Sequence, residues 1–442
     1  MDTDNPNYIV VFVLNSILFF FSGIAKFIYT PLLSPLKNSL SISSTQAGSL
    51  ITFVYLGYAF TRFPSGILTD IYGCKKTIIY SSFLTGLSLL LLSFSPNYLV
   101  LAILSFLMGG ATGLYTTAGY TFSVLIGKTG KETTSTALLE LFGGTASFIA
   151  PLAVILFLEN LGYSWNSLFL AAGIGIIITS FLFAYFMKGK KIKKTIKSDP
   201  ENQNSFKEEL TEIFEVFKHP NLRKFIIWAT LVGGFGFFAI KGFESFIPTA
   251  LAEAKNYSFS NANKLFTIIA VSGLITKMGV AWAADKFGVK RIFATLTALN
   301  LIFFIIFTLH INHFMIILTL IVLGITFKSH NTLINSYVMK KSPEKYQGSG
   351  FGLFSTLYTI IYSLGPMAIG FFIDKYDILI GMRFSLIGVL ISLPLVILFK
   401  YFIKYSNKFK ISCNLFIFYL NSNSKLMFIN KIEKSSKVSY NR

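Results

Sequence analysis

The sequence predicts an all-α membrane protein with twelve transmembrane helices, arranged as two six-helix bundles related by a parallel internal repeat. The first observation is composition: of 442 residues, 53% are hydrophobic and only 13% are charged, whereas soluble domains carry about 25% charged residues. The second is a series of apolar stretches long enough to cross a bilayer as helices. The third is a set of motifs that recur at one fixed spacing. The composition argues against a soluble enzyme.

Twelve apolar stretches of about 20 residues or more define the predicted spans. They cover roughly 8–30, 46–69, 77–95, 98–127, 133–158, 164–187, 224–250, 262–284, 291–310, 313–339, 347–373 and 379–404. A long polar segment separates the sixth span from the seventh, and a tail rich in Lys, Asn and Ser follows the twelfth. We therefore predict a first bundle (1–187), a cytoplasmic linker (188–223), a second bundle (224–404) and a basic cytoplasmic tail (405–442).

The basic residues predict the orientation of these spans. The formal net charge is +20, from 39 Lys and Arg against 19 Asp and Glu. With the N-terminus inside, 29 of the 39 cations fall on the cytoplasmic side, three lie in outer loops and seven lie within spans. This asymmetry predicts that both termini are cytoplasmic in a multi-pass protein of the cell membrane. The charge therefore needs no nucleic-acid partner to explain it, and we expect none.

The remaining residue types give no sign of an enzyme or a metal centre. The two cysteines, Cys74 and Cys413, are far apart in the sequence. His310 and His313 lie between two spans with no acidic or cysteine neighbour, which is typical of an ordinary loop. The sequence contains no P-loop and no nucleophile elbow. We expect no enzymatic activity, no cofactor and no metal.

An internal repeat relates the two halves at a single offset, the one that separates Lys26 from Lys241. In the loop after the second span and its counterpart after the eighth, Asp70, Gly73, Lys75 and Lys76 recur as Asp285, Gly288, Lys290 and Arg291. Within the spans, Lys26 recurs as Lys241 and Arg62 as Lys277. A single offset that matches loops and intramembrane cations predicts duplicated bundles with the same membrane orientation.

The loop from Gly66 to Lys76 resembles the signature Gly-x-x-x-Asp-Arg/Lys-x-Gly-x-Arg/Lys-Arg/Lys of the major facilitator superfamily, and the segment from Ala281 to Arg291 is a degenerate copy. The resemblance covers about 8–404 and implies a secondary transporter whose bundles rock about a central site. It implies gating or coupling roles for the loop residues Asp70, Gly73, Lys75, Lys76, Asp285, Gly288, Lys290 and Arg291. Ile71 departs from the signature, because a basic residue usually follows the Asp.

Ionisable residues within the spans are the main functional signal. A charge in hydrocarbon costs from about 3 to over 10 kcal/mol, so such a residue usually faces a cavity. In the fold that the sequence resembles, the helices carrying Lys26, Arg62, Lys241 and Lys277 face one another across the central pathway. Lys328 adds another cation. Unpaired cations in a cavity attract anions, and Lys and Arg bind carboxylate and phosphate oxygens.

Two tyrosines extend this predicted site. Tyr55, Tyr58 and Arg62 are spaced i, i+3, i+7, which places them on one stripe of a helix. The spacing of Arg62, Gly66 and Asp70 resembles the second helix of organophosphate/phosphate exchangers, and cations at Arg62 and its repeat mate resemble those of nitrate/nitrite porters. The predicted substrate-binding set is thus Lys26, Arg62, Lys241, Lys277, Tyr55, Tyr58 and Lys328.

Each of these residues also has a structural interpretation. Lys26 and Lys241 can extend to the outer interface, and Arg62 and Lys277 can be satisfied by carbonyls between helices. Tyrosine is also a common packing residue. Two acids complete the predicted gating or coupling set. Glu244 follows Lys241 by three residues and can pair with it locally, and Glu140 can be a structural hydrogen-bonding residue or a proton site.

The sequence therefore predicts a monomeric secondary transporter of a small anionic solute, acting by anion exchange or proton-coupled symport in a lipid bilayer. The alternative is a proton-coupled multidrug or metabolite efflux transporter. Two features disfavour the alternative. Ser105 stands where many proton-driven members of the superfamily carry Arg, and cations outnumber acids within the spans.

Overall fold

The computed structural model describes residues 6–126, 132–189, 218–343 and 347–397, and these ranges contain helices but no strands. The helices of the first half are α1 (Pro6–Phe27), α2 (Tyr29–Leu40), α3 (Ser44–Tyr72), α4 (Cys74–Ser93), α5 (Tyr98–Ile126), α6 (Glu132–Ile155) and α7 (Trp165–Phe186). Those of the second half are α8 (Pro220–Glu253), α9 (Phe259–Phe287), α10 (Val289–Phe307), α11 (His313–Lys341), α12 (Gln347–Ser363), α13 (Gly365–Lys375), α14 (Ile378–Arg383) and α15 (Leu386–Ile397). A π-helical turn, Leu156–Asn160, extends α6.

The helices fit the predicted twelve-span architecture. Within the described ranges, eleven helical segments are long and apolar enough to cross a membrane. The remaining predicted span, 46–69, lies inside the 29-residue α3, which carries more Ser, Thr and Gly. The eleventh span breaks between α12 and α13, where Pro366 in the first turn of α13 has no N–H to continue the upstream helix. The predicted all-α fold is confirmed.

The first span is longer than predicted. A break at Ile28 separates α1 from α2, and α2 continues to Leu40, well beyond the predicted end at 30. The polar and proline residues of α2 lower its hydropathy, but the helix packs against α3 and α8 and buries Tyr29 and Leu32 completely. Tertiary contacts therefore keep this segment helical, although hydropathy alone assigns it to a loop.

The internal repeat is present in the helix boundaries. When the residue numbers of α3 are increased by the spacing between Lys26 and Lys241, its first and last residues coincide with those of α9. The same shift makes the first and last residues of α5 coincide with those of α11. Gly73 and Gly288, which follow α3 and α9, have φ angles of 79° and 94°. Residues with a side chain rarely adopt a positive φ angle, so glycine at both turns lets the chain reverse into the next helix. The predicted parallel duplication is confirmed.

Close helix contact explains another repeated pair. Gly109 of α5 lies against the Val54 carbonyl of α3, and its mate Gly324 of α11 lies against the Ile269 carbonyl of α9. A Cβ at either glycine would collide with that backbone oxygen. The small residue thus allows the close helix approach that membrane bundles use. This close packing holds α3, which carries Arg62, in the first half and α9, which carries Lys277, in the second half.

The two halves meet at one end through α3 and α13. The Asp374 carboxylate accepts hydrogen bonds from the backbone N–H groups of Ser44 and Thr45, both at 2.7 Å, and from the Thr45 hydroxyl at 2.6 Å. A carboxylate at the end of α13 thereby caps the N-terminus of α3 in the other half, where unpaired N–H groups and the helix dipole favour negative charge. Lys37 of α2 pairs with Glu253 of α8 at 3.4 Å near the same end. This end is opposite the Gly73 and Gly288 turns, so it is the predicted outer side.

Most of the predicted linker, at 190–217, and the whole predicted tail, 405–442, lie outside the described residues. The second bundle begins with α8 at Pro220, shortly before the predicted boundary at 224. The domain boundaries stay predictions.

We predict that Asp374→Asn weakens closure of the outer side. The substitution removes the negative charge at the α3 N-terminus and one of the two accepting oxygens, which costs about 1 kcal/mol. That cost raises the population of the outward-open state about fivefold. Thr52 is buried and accepts a hydrogen bond from the Met367 N–H in the α3–α13 contact. For the measurement, Thr52 is replaced by cysteine in a protein whose Cys74 and Cys413 are replaced by alanine. The rate at which a water-soluble maleimide labels position 52 then reports the population of the outward-open state.

Asp377→Asn is the matched control. Asp377 lies close to Asp374 in the sequence but caps its own helix, α14, through the Ile380 N–H. It should leave the labelling rate at position 52 unchanged. Equal rates in the Asp374 and Asp377 variants would contradict the assignment of Asp374 to closure.

Candidate functional site

A central cavity of about 1290 Å³ lies between the two halves. Its lining extends to Gly66 near the end of α3, Thr136 near the start of α6 and Met339 near the end of α11. These positions lie toward the Gly73 and Gly288 turns, whereas the α3–α13 contact closes the other end. The cavity is therefore open to the predicted cytoplasmic side, and it has room for a metabolite-sized solute with water.

The cavity gathers most of the charge that the sequence places within the membrane. All five substrate-binding cations predicted from the sequence line it: Lys26, Arg62, Lys241, Lys277 and Lys328. With Lys340 near the mouth, six cations face two carboxylates, Glu140 and Glu244, an excess of four positive charges among the described lining residues. The tyrosines Tyr55 and Tyr58 also line it.

The two other intramembrane cations lie apart from the cavity. Arg383, at the end of α14, donates hydrogen bonds to the hydroxyl and the carbonyl of Thr308. Lys264 is exposed in the first turns of α9. Both are near the predicted outer ends of their helices, where a long side chain reaches water. Five of the seven intramembrane cations therefore line the cavity.

Lys26 and Arg62 form a cationic cluster in the first half. The Lys26 Nζ lies 4.6 Å from the centroid of the Tyr58 ring, and the Arg62 Cζ lies 5.6 Å from the same centroid. A ring face attracts a cation but does not neutralise it. Among the described residues, neither cation has a carboxylate in salt-bridge contact. We call these residues the Tyr58 cluster.

Lys241, Glu244 and Lys328 form a second cluster in the other half. Glu244 Oε2 lies 2.7 Å from Lys241 Nζ, and Glu244 Oε1 lies 3.8 Å from Lys328 Nζ. The local pairing of Lys241 and Glu244 is as predicted, whereas the partner of Lys328 comes from a different helix. Both ammonium groups also lie over the Phe27 ring, at 6.0 and 5.2 Å. We call this the Glu244 triad.

A third charged contact joins the halves. Lys277 of α9 lies 3.2 Å from the Glu140 carboxylate of α6, and both side chains are more than one-third exposed. The Tyr120 hydroxyl donates to the other oxygen of Glu140 at 3.2 Å. Sequence reasoning left Lys277 without a local partner, and tertiary structure supplies one across the interface.

Sequence reasoning missed an aromatic wall on the second half of the cavity. Tyr358 and Tyr362 of α12 line the cavity beside Phe237, and the Tyr362 ring lies 5.5 Å from that of Tyr55 across the interface. The Tyr358 hydroxyl donates to the Asn331 side chain at 2.8 Å. The available signal was the i, i+4 spacing of Tyr358 and Tyr362, which puts both on one helix face.

The loop residues predicted for gating lie outside the cavity lining. The Lys75 ammonium donates to the Met187 carbonyl after α7, and the Lys290 ammonium donates to the Ile397 carbonyl at the end of α15. Lys75 therefore contacts the C-terminal end of α7, where a cation is favoured by the helix dipole, and each lysine contacts a helix of its own half. The gating or coupling role of these loop residues stays a prediction.

The family model of the Major Facilitator Superfamily matches residues 16–366. The chain belongs to the major facilitator superfamily. In this member the loop signature lies at the turn after α3 and its repeat, as the sequence predicts.

Relatives in the superfamily are distant. A gentisate transporter of Corynebacterium glutamicum is 25% identical over 272 residues, which is 61% of this chain and 60% of that protein. The sialic acid transporter NanX of Escherichia coli is 24% identical over 341 residues, 75% of this chain and 77% of that protein. A glycerol-3-phosphate transporter of Bacillus subtilis is 22% identical over 274 residues, 58% of this chain and 60% of that protein. These proteins are named as transporters and not as enzymes.

Solved structures share the fold. A point mutant of the nucleoside transporter NupG has a TM-score of 0.73 at 16% identity and covers 89% of this chain and 99% of its own. An inward-facing, unoccupied bacterial homologue of the lysosomal transporter Spinster has a TM-score of 0.73 at 13% identity, covering 89% and 97%. At such low identity the likeness shows the fold alone.

We predict that Glu244→Gln destabilises the protein more than Glu140→Gln does. The Glu244 side chain is 10% exposed, and loss of its charge leaves two partly buried ammonium groups without their counterion, whereas both side chains of the Glu140 pair are more than one-third exposed. We expect a loss of about 1–3 kcal/mol for Glu244→Gln and below about 1 kcal/mol for Glu140→Gln. Thermal unfolding of the purified proteins in one detergent measures both, and equal shifts of the unfolding temperature contradict the prediction.

Proposed function

We propose that this protein is a secondary active transporter that moves a small anionic organic or inorganic solute across the cell membrane by alternating access. The observation that carries the proposal is the central cavity between the halves, where six cations face two carboxylates. Within it, the Tyr58 cluster offers two cations that no described carboxylate neutralises. A positive cavity with low-dielectric walls raises the local concentration of anions.

The charges also suggest how binding is coupled to movement. Lys26 and Arg62 belong to one half, and the Glu244 triad, which carries one net positive charge, belongs to the other, so closing an empty cavity brings like charges together. At about 8 Å and an effective dielectric constant near 20, each such pair costs about 2 kcal/mol. A bound anion offsets this repulsion and favours an occluded state. The Asp374 contacts then break to open the outer side.

The relatives support the anionic class. Gentisate, sialic acid and glycerol 3-phosphate, named for three of the relatives, are all acids that carry hydroxyl groups. A carboxylate or phosphate group suits Arg62 and Lys26, and hydroxyl or ring portions suit the aromatic wall of Tyr358 and Tyr362. We propose anion exchange or proton-coupled anion symport, with Glu140 or Glu244 as the titrating carboxylate in the second case.

The functional unit in this proposal is a monomer, because residues of one chain line the cavity. We place both termini in the cytoplasm, which makes the described conformation inward-open.

A proton-coupled efflux transporter of drugs or other metabolites is the alternative. The aromatic wall favours it, because Phe237, Tyr358 and Tyr362 offer apolar contact to a lipophilic compound. The charges favour an anion. In addition, the buried Ser105 hydroxyl is hydrogen-bonded to the Tyr29 hydroxyl at 2.7 Å, so the place of the Arg found in many proton-driven members holds a neutral pair.

We predict that Arg62→Gln and Lys26→Gln each weaken anion binding at least tenfold, because each removes one of two unneutralised cations. Purified protein is screened by thermal shift against gentisate, sialic acid, glycerol 3-phosphate, nitrate and neutral drugs. An anion that binds the native state raises the unfolding temperature. Uptake of that anion into proteoliposomes follows. We expect Lys277→Gln to have a smaller effect, because Glu140 already neutralises Lys277.

Lys264→Gln is the matched control, since it removes an exposed cation on α9 outside the cavity lining. It should leave binding and uptake unchanged. Anion uptake that survives both Arg62→Gln and Lys26→Gln contradicts the proposal. Stabilisation by lipophilic drugs without competition from anions supports the efflux alternative.

A further inference from the structure

The two halves of the cavity offer an anion different environments, although the repeat places cations in both. Lys26 and Arg62 of the first half flank the Tyr58 ring, and no described carboxylate lies in salt-bridge contact with either. Their repeat mates have carboxylate partners: Lys241 pairs with Glu244, and Lys277 pairs with Glu140. An incoming negative group therefore meets two uncompensated cations in the first half and neutralised or shared cations in the second.

The Glu244 triad is a departure from the repeat. At the offset that relates Lys26 to Lys241, the first-half mate of Glu244 is Tyr29 and that of Lys328 is Gly113. The second half thus has an added acid and an added base at positions that are uncharged in the first half. Both added charges line the cavity, and Glu244 is 7% exposed. The carboxylate contacts both ammonium groups, one with each oxygen.

The triad lies within reach of a solute bound at the Tyr58 cluster. Lys241 lies 5.5 Å from the centroid of the Tyr55 ring, and Lys26 lies 4.6 Å from that of Tyr58. These tyrosines are three residues apart on α3, a rise of about 4.5 Å. A compact solute with two negative groups could therefore reach both clusters if the lysines of the triad were not already engaged.

We propose that Glu244 makes the cavity selective for monoanions. Its carboxylate already occupies the place beside Lys241 and Lys328 that a second negative group of a solute would take. The inference rests on the proposed anion transport and names its substrate class: an organic acid with a single negative group, bound by Lys26 and Arg62, with a neutral polar or aromatic body against Tyr55, Tyr358 and Tyr362. A second negative group would have to displace Glu244 from two lysines.

The test compares acids that differ only in the number of charges. The probes are 4-carbamoylbenzoate against terephthalate, and succinamate against succinate, each pair having one skeleton with one or two carboxylates. Dissociation constants are measured with purified full-length protein by calorimetry at neutral pH. We expect the wild type to bind the monoanion of a pair at least tenfold more tightly than the dianion.

Glu244→Gln should reduce or reverse this preference by at least tenfold, because it frees two lysines for the second carboxylate. The double variant Glu244→Gln/Lys328→Gln restores the net charge of the wild-type triad and should recover much of the monoanion preference. Lys328→Gln alone leaves Glu244 paired with Lys241 and should preserve or increase the preference. This variant tests the inference independently if Glu244→Gln does not fold.

The outcomes separate the inference from the proposed function. A wild type that binds the dianion as tightly as the monoanion overturns monoanion selectivity and leaves anion transport standing. An unchanged ratio in Glu244→Gln, or a preference lost in Lys328→Gln, overturns the role of Glu244. Wild-type protein that binds neither these probes nor any anion of the thermal-shift screen overturns the proposed function and the inference together.

Discussion

The cost of placing a cation in the hydrocarbon of a membrane is the constraint on which this structure depends. Each such charge needs water, a counterion or an aromatic face, and away from the helix ends a bundle of apolar helices supplies these at a shared cavity. The cavity between the halves provides at least one of them to each of Lys26, Arg62, Lys241, Lys277 and Lys328. The arrangement of the helices and the chemistry of the site therefore have one physical origin.

The five cations are accommodated in three different ways. Tyr58 offers its ring to Lys26 and Arg62 and leaves their charge available. Glu244 is shared by Lys241 and Lys328, whereas Glu140 holds Lys277 across the interface. Available charge favours binding of a solute, and shared charge limits how many negative groups that solute can carry. The interfacial pair links the position of one half to that of the other.

Duplication explains the scaffold better than it explains the site. The repeat reproduces the boundaries of α3 in α9, and the same glycine turn follows both helices. It also places Lys26 and Lys241 in equivalent helices. Glu244 and Lys328 break the symmetry, since their mates are Tyr29 and Gly113. A transporter with one solute in a central cavity does not need equal halves, and the unequal positions are where selectivity can arise.

The sequence by itself determined the fold, the repeat and the predicted orientation, because hydropathy, glycine at Gly73 and Gly288, and the loop cations are local properties that need no knowledge of contacts. It also singled out the intramembrane cations by their cost. Only the tertiary structure decided that Lys328 shares Glu244, that Lys277 meets Glu140, and that Tyr362 faces Tyr55. These partners come from different helices, so their distances depend on how the bundles pack, which sequence spacing does not encode.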